Sequence, residues 1–249
     1  MNAELILSAI LILVALLLFF TRRQQRSDRH VALRPLSAIA ALDDQLGEAI
    51  ESGRQLHVSL GQGGLTGTAT PTSVAAVHIL NHLAQEGSAS GAAPLATVGE
   101  GVMLPLAQES LRRAHDEVGR IRDYKPSMAQ FVAVETDPYA FAAGVSSVIQ
   151  QNQAGGNVLV GRFGPEIAII AEAAARQNLK QVIGTDDPSA LAAATAVTGD
   201  LLVGEELFAA DAYLIGSPSQ IASLQVQDVL RAIIAAVILI LALVNYLNG

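Results

Sequence analysis

Glycines concentrate in one stretch of the chain, directly before a proline that suits a helix start. Residues 61–68 read Gly-Gln-Gly-Gly-Leu-Thr-Gly-Thr, and Thr70 and Pro71 follow. Glycines let a backbone approach a ligand closely, and the unpaired amides at a helix start favour a phosphate or carboxylate. The stretch therefore predicts contacts with an anionic small molecule from Gly61, Gly63, Gly64, Gly67 and Thr68.

The spacing of these glycines differs from the dinucleotide-binding fingerprint. They follow the pattern G-x-G-G-x-x-G, and an acidic residue that binds ribose would be expected roughly 20 residues further on. The nearest acid after a predicted strand is Glu100, which lies 33 residues beyond Gly67. The alternative is a purely structural turn, in which Thr70 caps a helix and Pro71 takes its first position. Both interpretations stay open.

Other polar residues follow short apolar runs that predict strands. Ligands of an open parallel sheet bind outside the carboxyl ends of its strands, so these residues are candidate contacts for a cation or for a ligand's hydroxyls. They fit a solvated acidic rim equally well. The residues in such positions are Glu100, Glu135, Arg162, Thr185, Asp186, Glu205 and Glu206.

Three further acids have a structural explanation. Asp137 and Asp187 each precede a proline that opens a predicted helix, so we expect their carboxylates to cap those helices. Glu166 suits a first helical turn, where a negative charge is favourable. These three acids are therefore not counted among the ligand contacts.

The chain offers few groups for metal or nucleophilic chemistry. It has no cysteine, which excludes disulfides and cysteine-ligated zinc or iron–sulfur sites. His78 and His82 share a helix face, but the Glu that a metalloprotease needs beside the first His is replaced by Ile79. We interpret both as surface histidines and predict no metal site. The catalytic residues and any cofactor stay unassigned.

Six short apolar runs alternate with alanine-rich helical stretches in the middle of the chain. This alternation favours an α/β fold, a mostly parallel Rossmann-like sheet with helices on both faces. An amphipathic helix at 38–52 precedes the first strand, and the domain as a whole covers residues 37–217. The strands are predicted at 56–60, 95–98, 130–134, 158–160, 181–183 and 201–203, and the helices between them near 72–85, 104–121, 138–151, 165–178 and 188–196.

Two uncharged apolar runs, at 5–20 and 232–247, flank this domain. They predict transmembrane helices at residues 4–21 and 229–247. A cleaved signal peptide is the alternative for the first run. Glu4 stands where a signal peptide would be basic, and no small-residue cleavage site follows the run, so a membrane anchor is favoured.

Charge indicates how such a chain would be oriented and what it would bind. The basic linker at residues 22–36 predicts a cytoplasmic central domain with both termini outside, because positive charge stays on the inner side of a membrane. The net charge of −8 argues against a nucleic-acid partner. Small residues in the second apolar run favour self-association within the bilayer. The linker arginines are Arg22, Arg23, Arg26 and Arg29, and the small residues are Ala232, Ala235 and Ala236.

Several short segments resemble an uncharacterised prokaryotic family of two-span membrane proteins with a cytoplasmic Rossmann-like α/β domain. They read His-Val-Ser-Leu-Gly-Gln-Gly at 57–63, Ile-Gly-Thr-Asp at 183–186 and Gly-Glu-Glu-Leu-Phe-Ala-Ala at 204–210. Ala-Tyr-Leu at 212–214 and Gln-Asp at 227–228 also fit. The resemblance covers most of the chain from Leu36 onward. It implies an architecture, but no reaction.

We therefore expect a two-pass protein of a prokaryotic inner membrane that presents its α/β domain as a binding or scaffolding module. It would recognise an anionic small molecule at the glycine-rich turn and would self-associate in the lipid bilayer. The alternative is a membrane-tethered enzyme that depends on a nucleotide or on S-adenosylmethionine, since the same fold supports both functions.

Overall fold

The protein was analysed as a computed structural model, which describes residues 15, 19, 34–132, 137–216 and 218–248. For residues 218, 219, 222, 236, 237 and 239–248 it describes the backbone alone. Pro35–Leu214 form one compact unit, and the residues described on either side of it belong to a second unit.

Six strands and seven helices make up the first unit as far as it is described. The strands are β1 (Leu56–Gly61), β2 (Leu95–Val98), β3 (Ala129–Phe131), β4 (Gly156–Arg162), β5 (Gln181–Thr185) and β6 (Leu201–Val203). The helices are α1 (Ser37–Glu51), α2 (Thr70–Ser90), α3 (Met103–Glu117), α4 (Pro138–Gln151), α5 (Ile167–Ala175), α6 (Pro188–Ala194) and α7 (Glu205–Leu214). Short 3₁₀ turns lie at Gly67–Ala69, Ile121–Asp123 and Pro126–Met128.

The strands form one sheet in the order β3-β2-β1-β4-β5-β6, and every neighbouring pair is parallel. From β1 the chain moves outward through β2 to β3, then returns to the middle as β4 and moves outward the other way. The direction therefore reverses between β1 and β4. A doubly wound sheet of this order has its ligand crevice at that point, outside the carboxyl ends of the two strands.

The strand residues alternate between two cores. Leu56, Val58 and Leu60 of β1 join a cluster built with α1, α2, α3 and α7. Leu159 of β4 and Ile183 of β5 join a second cluster, on the other face, with α4, α5 and α6. Because successive side chains of a strand point to opposite faces, one sheet supports helical layers on both sides. The predicted Rossmann-like α/β fold is confirmed.

A line of buried polar side chains crosses the second face of the sheet. His57 Nδ1 lies 2.7 Å from Asn157 Oδ1, and His57 Nε2 lies 3.0 Å from Thr97 Oγ1. Asn157 donates to Gln181, and Gln181 donates to the backbone carbonyl of Ala171 in α5. The line thus links four adjacent strands to one helix. Burial lowers the pKa of His57 to about 4, although its hydrogen bond with Asn157 acts in the opposite direction.

The predicted strands agree with the structure apart from their ends. β4 extends two residues further at each end than 158–160, and β3 begins one residue early. Residues 133–136, which include the end of the predicted third strand and Glu135, lie outside the described residues. Helix α7 was not predicted, because its weakly amphipathic sequence follows a short strand with only Gly204 between them.

Within its described residues, the second unit contains one long helix, α8 (Pro218–Asn248). No helix in the described part of the chain is both long enough and apolar enough to cross a membrane. The span predicted at 4–21 lies outside the described residues except for Ala15 and Phe19, and so does the linker up to residue 33. Both transmembrane helices therefore stay predictions.

Candidate functional site

A cleft of about 560 Å³ opens where the sheet changes direction. One wall is the loop after β1, which contributes residues 62, 63 and 66–69. The other wall is the loop after β4, residues 162–166, together with Pro138 and Asp187 at the starts of α4 and α6. The cleft therefore lies outside the carboxyl ends of the two central strands, where a doubly wound sheet binds ligands.

Two glycines let the central strands converge at the base of this cleft. Gly61 has φ +70°, and a Cβ on it would lie 2.4 Å from the carbonyl oxygen of Arg162. Gly161 has φ +136°, and a Cβ there would lie 2.2 Å from the carbonyl oxygen of Leu60. No L side chain fits either position. Gln62 N–H donates to Arg162 O at 2.9 Å, which ties the two loops together as they leave the sheet.

Gly63 packs tightly against Ser73 and Arg162. A Cβ on Gly63 would lie 2.9 Å from Ser73 Oγ and 3.0 Å from Arg162 Cβ, so only glycine fits here without a shift of its neighbours. Ser73 lies in the first turn of α2 and is fully buried, and its hydroxyl has no hydrogen-bond partner among the described residues. A buried hydroxyl without a partner is costly, so this one would gain from a hydrogen bond with a ligand atom, although it lies behind Gly63 and does not itself line the cleft.

Arg162 supplies positive charge at the same point. Its guanidinium donates to Thr68 Oγ1 at 3.0 Å, across the mouth of the cleft. Within the described part of the chain, no carboxylate forms an ion pair with Arg162. An arginine whose fork is not taken by a carboxylate is well suited to a phosphate or carboxylate of a ligand.

Glu166 joins the two walls of the cleft. It is only 4% exposed, and its Oε1 accepts from Gln62 Nε2 at 2.7 Å and from Gly164 N–H at 2.8 Å. One oxygen of this carboxylate, Oε1, therefore accepts from both loops and binds the β1 loop to the β4 loop. We conclude that Glu166 holds the cleft in shape.

Each helix that follows a strand begins near an acidic side chain, with one exception. The carboxylates of Asp137 and Asp187 cap α4 and α6, as predicted. In the other three helices a Glu near the start bonds a backbone N–H that precedes the helix, and in α3 and α5 no side chain caps the first turn. The pairs are Val102 N–H with Glu100 for α3, Gly164 N–H with Glu166 for α5, and Val203 N–H with Glu206 for α7.

Helix α2 is the exception among the described helices that follow a strand. No side chain caps its first turn, and it has no acidic residue there. The prediction that Thr70 is its N-cap is wrong. A 3₁₀ turn at Gly67–Ala69 brings the helix start forward to Thr70, whose hydroxyl instead donates to Gly67 O at 3.1 Å. The positive end of α2 is thus left for a ligand at the cleft.

The family model described as a domain of unknown function (DUF6754) matches residues 1–249. The chain belongs to this family. No curated protein and no solved structure matches it. The predicted resemblance to an uncharacterised family is confirmed to that extent, whereas its prokaryotic and membrane features are not addressed by the match. Membership of DUF6754 assigns no reaction and no ligand.

The DUF6754 structure brings together some of the predicted contacts. Gly63, Gly67, Thr68 and Arg162 line one cleft, and Gly61 forms its base. Gly64 lies beside Glu100 on the neighbouring strand. The remaining predicted contacts follow β5 and β6 and do not line the cleft. They are Thr185, Asp186, Glu205 and Glu206.

Two of those remaining residues have local roles in the DUF6754 domain. Thr185 is buried, and its Oγ1 accepts weakly from Asp187 N–H at 3.4 Å. Glu206 bonds Val203 N–H at 3.1 Å. The adjacent Asp187 lines the cleft, and its hydrogen bonds with Ser189 and with Ala190 N–H hold its pKa below the ordinary value. The alternative interpretation, that the polar residues after the strands form only a solvated acidic rim, therefore fits only some residues at this edge of the sheet.

Sequence reasoning missed Gln62 and Glu166 of the DUF6754 cleft, and the buried Ser73 behind it. Gln62 lies inside the glycine-rich stretch but is not a glycine, and Glu166 was explained by its helix turn alone. Ser73 had a usable signal, because it is the fourth residue of a helix that follows the glycines. Its side chain was unremarkable in sequence, since burial without a partner is visible only in three dimensions.

The described histidines of the DUF6754 domain contact carboxylates or are buried. His78 pairs with Asp211 of α7 at 2.8 Å, and His82 lies 3.4 Å from Asp43 of α1. Across the described residues, no group of three His, Asp or Glu side chains is arranged to hold a metal ion. The two neighbouring histidines of α2 therefore contact different helices.

Proposed function

We propose that this chain is a binding module that recognises an anionic small molecule at the cleft between β1 and β4. The observation that carries the proposal is the start of α2. It has no capping side chain, and the buried Ser73 hydroxyl has no partner there. Arg162 adds a positive charge on the facing wall.

The physical argument is that an anion would satisfy three groups at once. The first amides of α2 carry partial positive charge because they have no intrahelical acceptor. Ser73 offers a hydroxyl donor, and the Arg162 guanidinium offers paired N–H donors. The other described helix starts along this edge already have a carboxylate beside them, so an external anion gains most at α2.

A direct test measures the binding of inorganic pyrophosphate to the full-length chain in detergent by titration calorimetry. Ser73→Ala and Arg162→Gln should each weaken binding by roughly tenfold or more, since a hydrogen bond to a charged group is worth about 1.5–3 kcal/mol. Arg176→Gln is the matched control. Arg176 lies at the end of α5 in an exposed pair with Glu172 and should leave the affinity unchanged.

The possible outcomes of this titration either support or contradict the proposed anion site. Loss of affinity in both cleft variants, with none in the control, supports the proposal. Equal losses in all three variants would show that the effect is not specific to the cleft and would overturn it. Absence of pyrophosphate binding, together with no phosphorylated molecule in the purified chain by mass spectrometry, would also overturn it.

The proposal includes attachment to a prokaryotic inner membrane through residues 4–21 and 229–247. Its support is the sequence alone: two long uncharged apolar runs, and arginines after the first of them. On this basis the α/β unit faces the cytoplasm, both termini lie outside, and small residues of the second run promote self-association in the bilayer.

Reporter fusions test this membrane arrangement independently of the cleft. A reporter that is active only outside the cytoplasm, fused after Gly249, should be active, and the same reporter inserted at Gly119 should be inactive. Gly119 lies in the exposed turn after α3. Recovery of the full chain in the soluble fraction after cell lysis would contradict the arrangement. Cross-linking in intact membranes tests self-association.

A further inference from the structure

The cleft has an acidic neighbour on the side of β2. Glu100 stands two residues after the end of β2, the strand that pairs with β1. A Cβ on Gly64 would lie 3.2 Å from Glu100 Cγ, Cδ and Oε2, so the glycine-rich loop passes directly against this carboxylate. Gly64 adjoins Gly63, which packs against Ser73 and Arg162 and lines the cleft. One short loop therefore connects the anion site to Glu100.

The Glu100 carboxylate is held in place but keeps acceptor capacity. Its Oε2 accepts from Val102 N–H at 2.8 Å, which fixes its orientation, and Glu100 is partly exposed. No hydrogen bond occupies Oε1 among the described residues. An ionised carboxylate only accepts hydrogen bonds. The part of a ligand that faces Glu100 must therefore donate, and a second phosphate there would be repelled.

We infer that the ligand is a ribonucleotide, with its phosphate at the start of α2 and its ribose hydroxyls donating to Glu100. This inference rests on the anion site proposed above. A phosphate ester with a vicinal diol is the common small molecule that presents a negative group and two neutral donors side by side. Doubly wound sheets that bind dinucleotides place an acid at the corresponding strand end for the same reason.

The long separation in sequence between the glycine-rich stretch and Glu100 does not argue against a ribose-binding role for Glu100. The expected distance from the glycines to the ribose-binding acid, roughly 20 residues, assumes a helix of ordinary length. Helix α2 has 21 residues, and a 3₁₀ turn precedes it. The longer helix accounts for the additional residues. Glu100 therefore still lies at the same edge of the sheet, next to the glycine-rich loop.

The test compares ribose with deoxyribose in the full-length chain. The affinities of ADP, UDP and their 2′-deoxy counterparts are measured by titration calorimetry, with ribose 5-phosphate and pyrophosphate as smaller probes. At least one ribonucleotide should bind roughly tenfold or more tightly than its deoxy form, because the deoxy form leaves an acceptor unpaired. Glu100→Gln should reduce that ratio several-fold, and its amide oxygen can still accept from Val102 N–H.

Glu206→Gln is the matched control. It removes a charge from the same edge of the sheet, at the start of α7 beyond the outer strand β6. The ratio of ribonucleotide affinity to deoxyribonucleotide affinity should not change in this variant. Equal affinity for ribose and deoxyribose forms, or an unchanged ratio in Glu100→Gln, would overturn the inference but leave the anion site intact. If ribose 5-phosphate binds more tightly than any nucleotide, the ligand is a sugar phosphate and the nucleotide inference is overturned. No binding of any phosphate compound would remove both proposals.

Discussion

At the level of single residues, Gly63 shows how a glycine can be required by close packing alone. Its backbone is not in the left-handed region, so conformational freedom does not explain it. A Cβ on Gly63 would lie within 3.2 Å of Ser73 Oγ, Arg162 Cβ and Ala69 Cβ. Glycine here lets the loop after β1 pack against α2 and Arg162, and so fixes the position of the cleft wall.

Gly63→Ala should therefore block binding without unfolding the domain. The added methyl group would lie 2.9 Å from Ser73 Oγ and 3.2 Å from Ala69 Cβ, so these neighbours must move by a few tenths of an ångström. Pyrophosphate affinity should fall by roughly tenfold or more because the cleft wall shifts, and the melting temperature should fall by several degrees, since overpacking a buried site costs about 1–3 kcal/mol. Gly101→Ala is the control, because a Cβ at Gly101 meets nothing within 4 Å. Equal binding by both variants would contradict this role for Gly63.

His57 is the residue through which pH should act on stability. It is buried in the neutral form, and its pKa is lowered from 6.5 to about 4. Below pH 6.5 the unfolded chain takes up a proton that the folded chain does not, so stability falls as the pH decreases toward 4. The contribution of His57 to this fall is about 3 kcal/mol, given 1.36 kcal/mol per unit of pKa.

The variant His57→Gln should lose less stability on acidification than the native chain. We expect the difference in unfolding free energy between the two proteins, measured by denaturant titration at pH 7 and at pH 4, to shrink by about 3 kcal/mol. His78→Gln should keep the native decrease, since His78 is 41% exposed. A difference that is the same at both pH values would show that His57 is not the titrating group.

At the level of elements, the helix starts along the carboxyl edge divide into two kinds. Five described helices begin beside their own acidic residue, and α2 begins without one. Asp137 and Asp187 stabilise their helices by accepting from first-turn amides, and the other three carboxylates lie near the positive end of a helix dipole. A search for functional acids in the sequence therefore finds mainly caps, and the absence of an acid at α2 is the more informative feature.

Ala69→Asp should close the anion site by supplying the carboxylate that α2 lacks. Ala69 lies directly before the helix and lines the cleft. A carboxylate there competes with a ligand anion for the same amides and repels it. Pyrophosphate affinity should drop by roughly tenfold or more at low salt. Ala69→Asn has nearly the same shape without the charge, so it should retain most of the affinity. Equal losses would indicate a steric effect in place of an electrostatic one.

At the level of the whole α/β unit, the change of direction in the sheet brings distant chain segments to one place. Gln62 bonds Glu166 across 104 residues, and Arg162 bonds Thr68 across 94 residues. Both contacts depend on β4 pairing directly with β1. A ligand in the cleft contacts both loops at once, so it should stabilise the centre of the sheet more than its edges.

Hydrogen exchange of the full chain with and without pyrophosphate checks this expectation. Exchange should slow in residues 62–73 and 162–166, because ordered loops open less often when a ligand bridges them. Residues 37–51 of α1 provide the internal control and should change little on the same timescale. Protection spread evenly over all segments would indicate general stabilisation, and protection confined to other segments would place the ligand elsewhere.

Local patterns determined a good part of this protein. The alternation of apolar runs and helices predicted the α/β class and the positions of the strands. Proline after Asp predicted the caps at Asp137 and Asp187, and the glycine-rich stretch marked the first wall of the cleft. These features depend on residues a few positions apart, which is why the sequence is sufficient for them.

Only the tertiary structure determines how the two walls of the cleft, the loops after β1 and β4, come together. Strand order depends on how whole strands and helices pack together. Local sequence patterns, which involve residues a few positions apart, do not determine it. Only with β4 beside β1 do Arg162 and Glu166 face the glycine-rich loop. Likewise, Glu100 reaches Gly64 because α2 is long and β2 lies next to β1. The proposed anion site and the proposed ribose contact of Glu100 both depend on a sheet that pairs segments far apart in the chain.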